Sequence, residues 1–125
     1  MDLVSVIIPY FKKKKFVDQS ISSVLNQSYS NIEIIIVYDD EDKSDLEYLR
    51  KIYNSNEKIK IIVNEKNIGA GFSRNRGIRE SKGKYVCFID SDDIWKKEKI
   101  ENQINYMRKN NYKISHTSYE VINDK

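Results

Sequence analysis

The sequence predicts an α/β protein built on a Rossmann-like open, mainly parallel sheet with flanking helices. Three observations carry this prediction. Apolar, largely β-branched runs recur at residues 3–8, 32–38, 59–63 and 84–89. Segments of helical periodicity separate them, long enough to return each strand parallel through a right-handed crossover. The second and fourth runs end abruptly in carboxylates, at the sheet edge where such folds bind ligands.

Leu3-Val4-Ser5-Val6-Ile7-Ile8 reads as a central strand covered on both faces, with Pro9 expected to end it. After Lys12-Lys13-Lys14-Lys15, residues Val17, Ile21, Val24 and Leu25 fall on one stripe of a helix reaching about Gln27. The second strand, 32–38, runs into Asp39-Asp40-Glu41-Asp42. Ser44 and Glu47 have the spacing of a capping box, which predicts a helix starting there with Leu46, Leu49, Ile52 and Tyr53 buried. A third strand at 59–63 leads to a polar loop containing Gly69 and Gly71, then to an arginine-rich helix over 72–81 that Gly83 stops. Beyond the fourth strand, Trp95 is expected to lead a helix carrying Ile100, Ile104 and Met107. Residues 113–121 favour a fifth strand, in which His116 is a hydrogen-bonded strand residue.

At 125 residues the chain has room for one domain. With 39% hydrophobic and 33% charged residues it is globular, and no apolar run approaches the roughly 20 residues of a membrane-spanning helix. Residues 1–9 lack the basic start of a signal peptide, so a cytoplasmic protein is expected. Cys87 is the single cysteine, which excludes an internal disulfide and suits an inert core thiol. A net charge of +3 is too small to argue for nucleic acid by itself, and no nucleic-acid partner is expected. Most of it resides in Lys12–Lys15, ordinarily a solvated face, with phosphate or an anionic membrane surface as the alternative.

Three carboxylates within four residues, Asp90, Asp92 and Asp93, repel one another unless a cation sits between them. A hard divalent ion, Mg2+ or Mn2+, completes its shell with water and phosphate oxygens, which suggests a nucleotide diphosphate ligand. The alternative is an acidic loop capping the next helix. The ends of strands one, two and four would gather Pro9 to Phe11, Asp39, Asp40 and Asp90 to Asp93 on one crevice. Asp39 or Asp40 suits a base or ribose, and Arg74 suits a carboxylate or phosphate. Tyr10 and Phe11 suit base stacking or the core. Arg76 and Arg79 read as an exposed helix face.

These residues carry a resemblance. Val4-Ser5-Val6-Ile7-Ile8-Pro9-Tyr10, Ser22-Ser23-Val24-Leu25-Asn26-Gln27-Ser28-Tyr29, Asn67-Ile68-Gly69 with Ser73-Arg74-Asn75-Arg76-Gly77-Ile78, and Asp90-Ser91-Asp92-Asp93 resemble, in order, motifs of the family 2 inverting glycosyltransferases of GT-A fold. The resemblance implies transfer of a sugar from a nucleotide diphosphate donor, most often UDP-linked, to a glycan or lipid-linked acceptor. It implies that Pro9, Phe11 and Asp39 hold the nucleoside, and that Arg74 supports the base-binding acid. Asp90 would face the ribose, with Asp93 beside it, and Asp92 would bind the metal that bridges the diphosphate. The family's carboxylate base lies in a later segment, expected beyond Lys125. Residues 1–125 therefore read as the nucleotide-sugar-binding part of an incomplete GT-A domain, placed at the inner face of the membrane and able to self-associate through an uncovered edge.

Local departures are Tyr38 where an acid is frequent, Asp40 and Glu41 where glycine and serine are common, and Lys12 for a frequent asparagine. A phosphoacceptor receiver domain would need its acidic pair after strand one, and a nicotinamide-dependent enzyme its glycine fingerprint there. A pyrophosphorylase would need a glycine-rich phosphate loop in the same turn. A non-catalytic nucleotide-binding or interaction module remains the alternative.

Overall fold

The computed structural model describes residues 1–117 and 119–122. Its elements run in the order β1 (Val4–Tyr10), α1 (Lys14–Leu25), β2 (Ile32–Tyr38), α2 (Ser44–Tyr53), β3 (Ile59–Val63), α3 (Ala70–Glu80), β4 (Tyr85–Phe88) and α4 (Lys99–Asn110). The four strands form one parallel sheet in the order β3-β2-β1-β4. Strand β1 is central and wholly buried, as its unbroken β-branched run requires.

Alternation along the strands divides the core between two faces. Val4, Val6, Ile8 and Tyr10 of β1, with Ile34, Ile36 and Tyr38 of β2, meet Val17, Ile21 and Val24 of α1, Leu46 and Leu49 of α2, and Ile100 and Ile104 of α4. Ile7, Ile35, Val37 and Ile62 form the opposite face, under α3. That helix approaches closely because it buries only Ser73 and Gly77. A Cβ at Gly77 would stand 2.5 Å from Ile7 Cγ2, so only glycine fits there.

Four expectations are corrected. Strand β1 continues through Pro9 to Tyr10. Ile7 accepts from the Ile89 amide on the β4 side and Tyr10 from Asp39 on the β2 side, so Pro9, sharing parity with Ile7, turns its nitrogen toward space where β4 has ended. The Ser44–Glu47 capping box is not made: Lys43 is the N-cap, and the Asp42 carboxylate accepts the Ser44 amide at 3.0 Å. Trp95 precedes α4, which begins four residues later at Lys99, because the intervening turn is fastened to α1. Among the described residues of 113–121 there is no strand. This segment instead lies against α4 and the turn before it through Gln103 to Ser115 and Lys96 to Glu120, leaving Ile114, Tyr119 and Val121 exposed. Strand propensity has no effect without a partner strand. Cys87 behaves as expected, its thiol pushed up to about 12 by burial.

Candidate functional site

A cavity of about 260 Å³ opens at the carboxyl ends of β1, β2 and β4. Pro9, Tyr10, Phe11 and Lys13 line it after β1, Asp39 after β2, Ala70 at the start of α3, and Asp90, Ser91 and Asp92 after β4. A larger hollow of about 380 Å³, lined by Ser23, Asn26, Trp95 and Lys97, has no carboxylate among the described residues of its lining.

Asp39 is buried and surrounded by donors. Its carboxylate accepts from the amides of Ile68 at 2.7 Å and Gly69 at 2.9 Å and from Asn64 Nδ2 at 3.0 Å. Its carbonyl accepts from Asn67 Nδ2 at 3.1 Å. Gly69, the N-cap of α3, has φ +92, a conformation that glycine adopts without strain. Asp39 therefore shapes the glycine loop and sets where α3 begins.

The same network extends inward. Asn64 also donates to Ser73 Oγ at 3.1 Å, and Arg76 Nη1 donates at 2.7 Å to both Val63 O and Asn64 Oδ1. Arg76 is thus a strut between β3 and α3, contrary to the expected exposed face, whereas Arg79 is exposed. Asn64, Ser73 and Arg76 escaped the sequence reading, since an arginine's partners are distant in sequence. Asp40 is buried too, its Oδ1 accepting the Asp42 amide at 3.1 Å, with Lys43 donating to its carbonyl. Tyr10 stacks on Tyr38 at 5.3 Å between centroids and donates to Asp45 at 2.7 Å, so it is core, while Phe11 is exposed at the cavity mouth. Burial and the neighbouring Asp45 raise the Tyr10 phenol.

The carboxylates after β4 are held differently. Asp90, Asp92 and Asp93 are all exposed, and one oxygen from each lies within 4.8 Å of the others. Three carboxylate oxygens this close together are the hard donor set that a divalent cation takes, with water or phosphate oxygens completing its shell. Arg74 Nη2 pairs with Asp90 Oδ1 at 3.2 Å, and Lys13 Nζ with Asp92 Oδ2 at 3.3 Å. Asp93 is raised from its ordinary value, first by partial burial and then by repulsion from Asp90 and Asp92.

Helix α1 anchors this turn. Ser20 Oγ donates to the Asp93 carbonyl, Ser23 Oγ accepts the Trp95 amide at 3.1 Å, and Gln27 joins Lys96 O at 2.7 Å to the Ile100 amide at 3.0 Å. Ser20 and Ser23 lie one turn apart on α1 beside its apolar stripe, and Gln27 follows just past the end of the helix. Those polar positions were the available signal for a buried partner.

Comparison with known proteins places this geometry. Residues 5–125 match Glycosyl transferase family 2. An uncharacterized glycosyltransferase of Rickettsia felis is 43% identical over 98% of this chain, which spans 20% of that protein. The UDP-Glc:alpha-D-GlcNAc-diphosphoundecaprenol beta-1,3-glucosyltransferase WfgD of Escherichia coli is 39% identical over 98% of this chain, which spans 47% of WfgD. The S. aureus TarS structure in complex with UDP superposes with a TM-score of 0.75 at 27% identity, over 87% of this chain and 32% of that one. The chain thus has the architecture of GT-A proteins such as TarS and spans less than half of each of these relatives. By sequence and by fold, it belongs to glycosyl transferase family 2.

Proposed function

We propose that residues 1–125 are the donor-binding part of a larger GT-A glycosyltransferase domain that takes a sugar from a nucleotide diphosphate, with UDP as the nucleotide. Asp39, Asp90 and Asp92 line one cavity at the carboxyl ends of the sheet, with Arg74 paired to Asp90 and Asp93 grouped with both acids, and this arrangement carries the reading. The TarS complex with UDP supports the choice of nucleotide.

In this reading Pro9 and Phe11 form the apolar wall beside the base, and Asp39 holds the loop against which it lies. Asp90, with Arg74, faces the ribose, while Asp92 and Asp93 hold a divalent cation. Such a cation, when bound, supplies Lewis-acid neutralisation of the departing diphosphate. In transfer with inversion, an acceptor hydroxyl attacks the anomeric carbon from the face opposite the diphosphate. The carbon–oxygen bond to phosphate then breaks with its electron pair, and the hydroxyl proton passes to a carboxylate base outside residues 1–125. For this chain alone we therefore propose donor binding without transfer, which also accommodates a binding-module role.

The WfgD name specifies a diphosphoundecaprenol acceptor. We extend that to a lipid-linked acceptor here, with the protein peripheral at the cytoplasmic face. Among the described residues no helix is long and apolar enough to cross a membrane. Strand β4 ends the sheet, and Val86 and Phe88 are exposed on one face of it; two copies of the chain would associate there.

Calorimetric titration with UDP, with and without Mn2+, tests the reading. Metal-dependent binding is expected for the chain and at least a tenfold loss in Asp92→Ala. A folded chain with no metal-dependent UDP affinity would overturn the donor-site assignment.

A further inference from the structure

We propose that Lys13 is the resident counter-ion of the aspartate cluster and couples divalent-cation binding to diphosphate binding. This rests on the donor-site reading and adds a residue and an order of events to it. Of the four consecutive lysines, Lys12, Lys14 and Lys15 lie over the rings of Phe11, Tyr48 and Phe16. Lys13 instead turns into the cavity, with its ammonium 3.3 Å from Asp92 Oδ2. Its backbone is fixed: as the N-cap of α1 it accepts the Phe16 and Val17 amides at 3.0 and 2.9 Å. The side chain is 42% exposed, so it can swing while its root stays in place.

The ammonium therefore rests on the carboxylate assigned to the metal. A divalent ion bound to Asp92 would face a like charge a few ångströms away, and it must displace Lys13 to bind. Without nucleotide, the displaced ammonium loses its partner. With a nucleoside diphosphate in the cavity, both cations find phosphate oxygens, and lysine is well suited to that role as a compact point charge. The nucleotide should therefore raise the affinity for the cation, and by reciprocity the cation that for the nucleotide. Arg74 makes a similar pair on the far side of the cluster, but with Asp90, so it does not contest the Asp92 oxygen.

Mn2+ binding, read by the electron paramagnetic resonance of free Mn2+, tests this on the chain, Lys13→Gln and Lys13→Arg, with and without saturating UDP. The unmodified chain should bind Mn2+ at least tenfold more tightly with UDP. Lys13→Gln should bind Mn2+ alone about two- to fivefold more tightly than the unmodified chain, the span of a half-exposed ion pair removed, and gain less from UDP. Lys13→Arg, which keeps the cation, should restore the coupling. A merely structural lysine would not tighten metal binding when removed. Unchanged or weaker Mn2+ binding by Lys13→Gln, with an undiminished gain from UDP, would overturn the role of Lys13 and leave the donor site standing. If the unmodified chain binds neither Mn2+ nor UDP, the donor-site reading fails, and the role of Lys13 falls with it.

Discussion

The acids after β2 and those after β4 end the two strands that flank β1 in one sheet, yet the protein treats them in opposite ways. Asp39 is buried, and its carboxylate takes three donors from the loop and strand end that follow β3. Among the described residues, the Asp90 and Asp92 carboxylates are exposed and pair with the tips of long, half-exposed cations. The first arrangement is complete before any ligand arrives and serves to build the wall of the cavity. The second is left with oxygens that a ligand's own cation can complete, since half-exposed pairs contribute little and exchange easily.

Replacing Asp39 by alanine puts this contrast to its hardest test. The change leaves buried Asn64 Nδ2 and the half-buried Ile68 and Gly69 amides without their acceptor, at a cost of about 1–3 kcal/mol for a buried group and less for the half-buried ones. A loss of about 3 kcal/mol or more in urea unfolding is expected. Asp92→Ala should stay within about 0.5 kcal/mol of the unmodified chain, as surface changes do. Equal effects at the two positions would erase the distinction between wall and site.

A smaller effect is expected at Lys12, which has φ +51 in the turn leading from β1 to Lys13. A lysine in the left-handed region carries a strain of about 1 kcal/mol, which asparagine relieves in part. Lys12→Asn should raise stability by about 0.5 kcal/mol while leaving UDP binding unchanged. Weakened UDP binding in that variant would mean that the wall beside Asp92 depends on the Lys12 side chain as well as on the backbone turn.

The strands and helices were legible in the sequence because burial on both faces of a parallel sheet demands β-branched runs, and burial of one helix stripe demands the spacing of Val17, Ile21 and Val24. The clustering of Asp39 with Asp90 to Asp93 followed from strand order. What could not be read was which polar groups face inward. Arg76 has the composition of a surface residue and becomes a strut only because Val63 O and Asn64 lie beneath it. Residues 113–121 have strand propensity, but their contacts with α4 and Lys96 hold the described part of the segment outside the sheet. Trp95 looked like a helix start until Ser20 and Ser23 were seen to fasten the turn before α4.

The smallest expected effect sharpens the open side of the contrast. Partial burial, then Asp90 and Asp92, raise Asp93 above its ordinary 3.8, so the folded chain takes up a proton there more readily than the unfolded one. The associated stability is present below the ordinary value and is lost as pH rises through the raised one, which leaves ionised Asp93 a net burden at neutral pH. Asp93→Asn removes that burden and should raise Tm at pH 7 by on the order of 1–2 °C. The difference should vanish well below pH 3.8, where the aspartate is protonated in both the folded and the unfolded chain. A gain that persists in acid would trace to hydrogen bonding by the amide, and the cluster would then carry no repulsion for a cation to relieve.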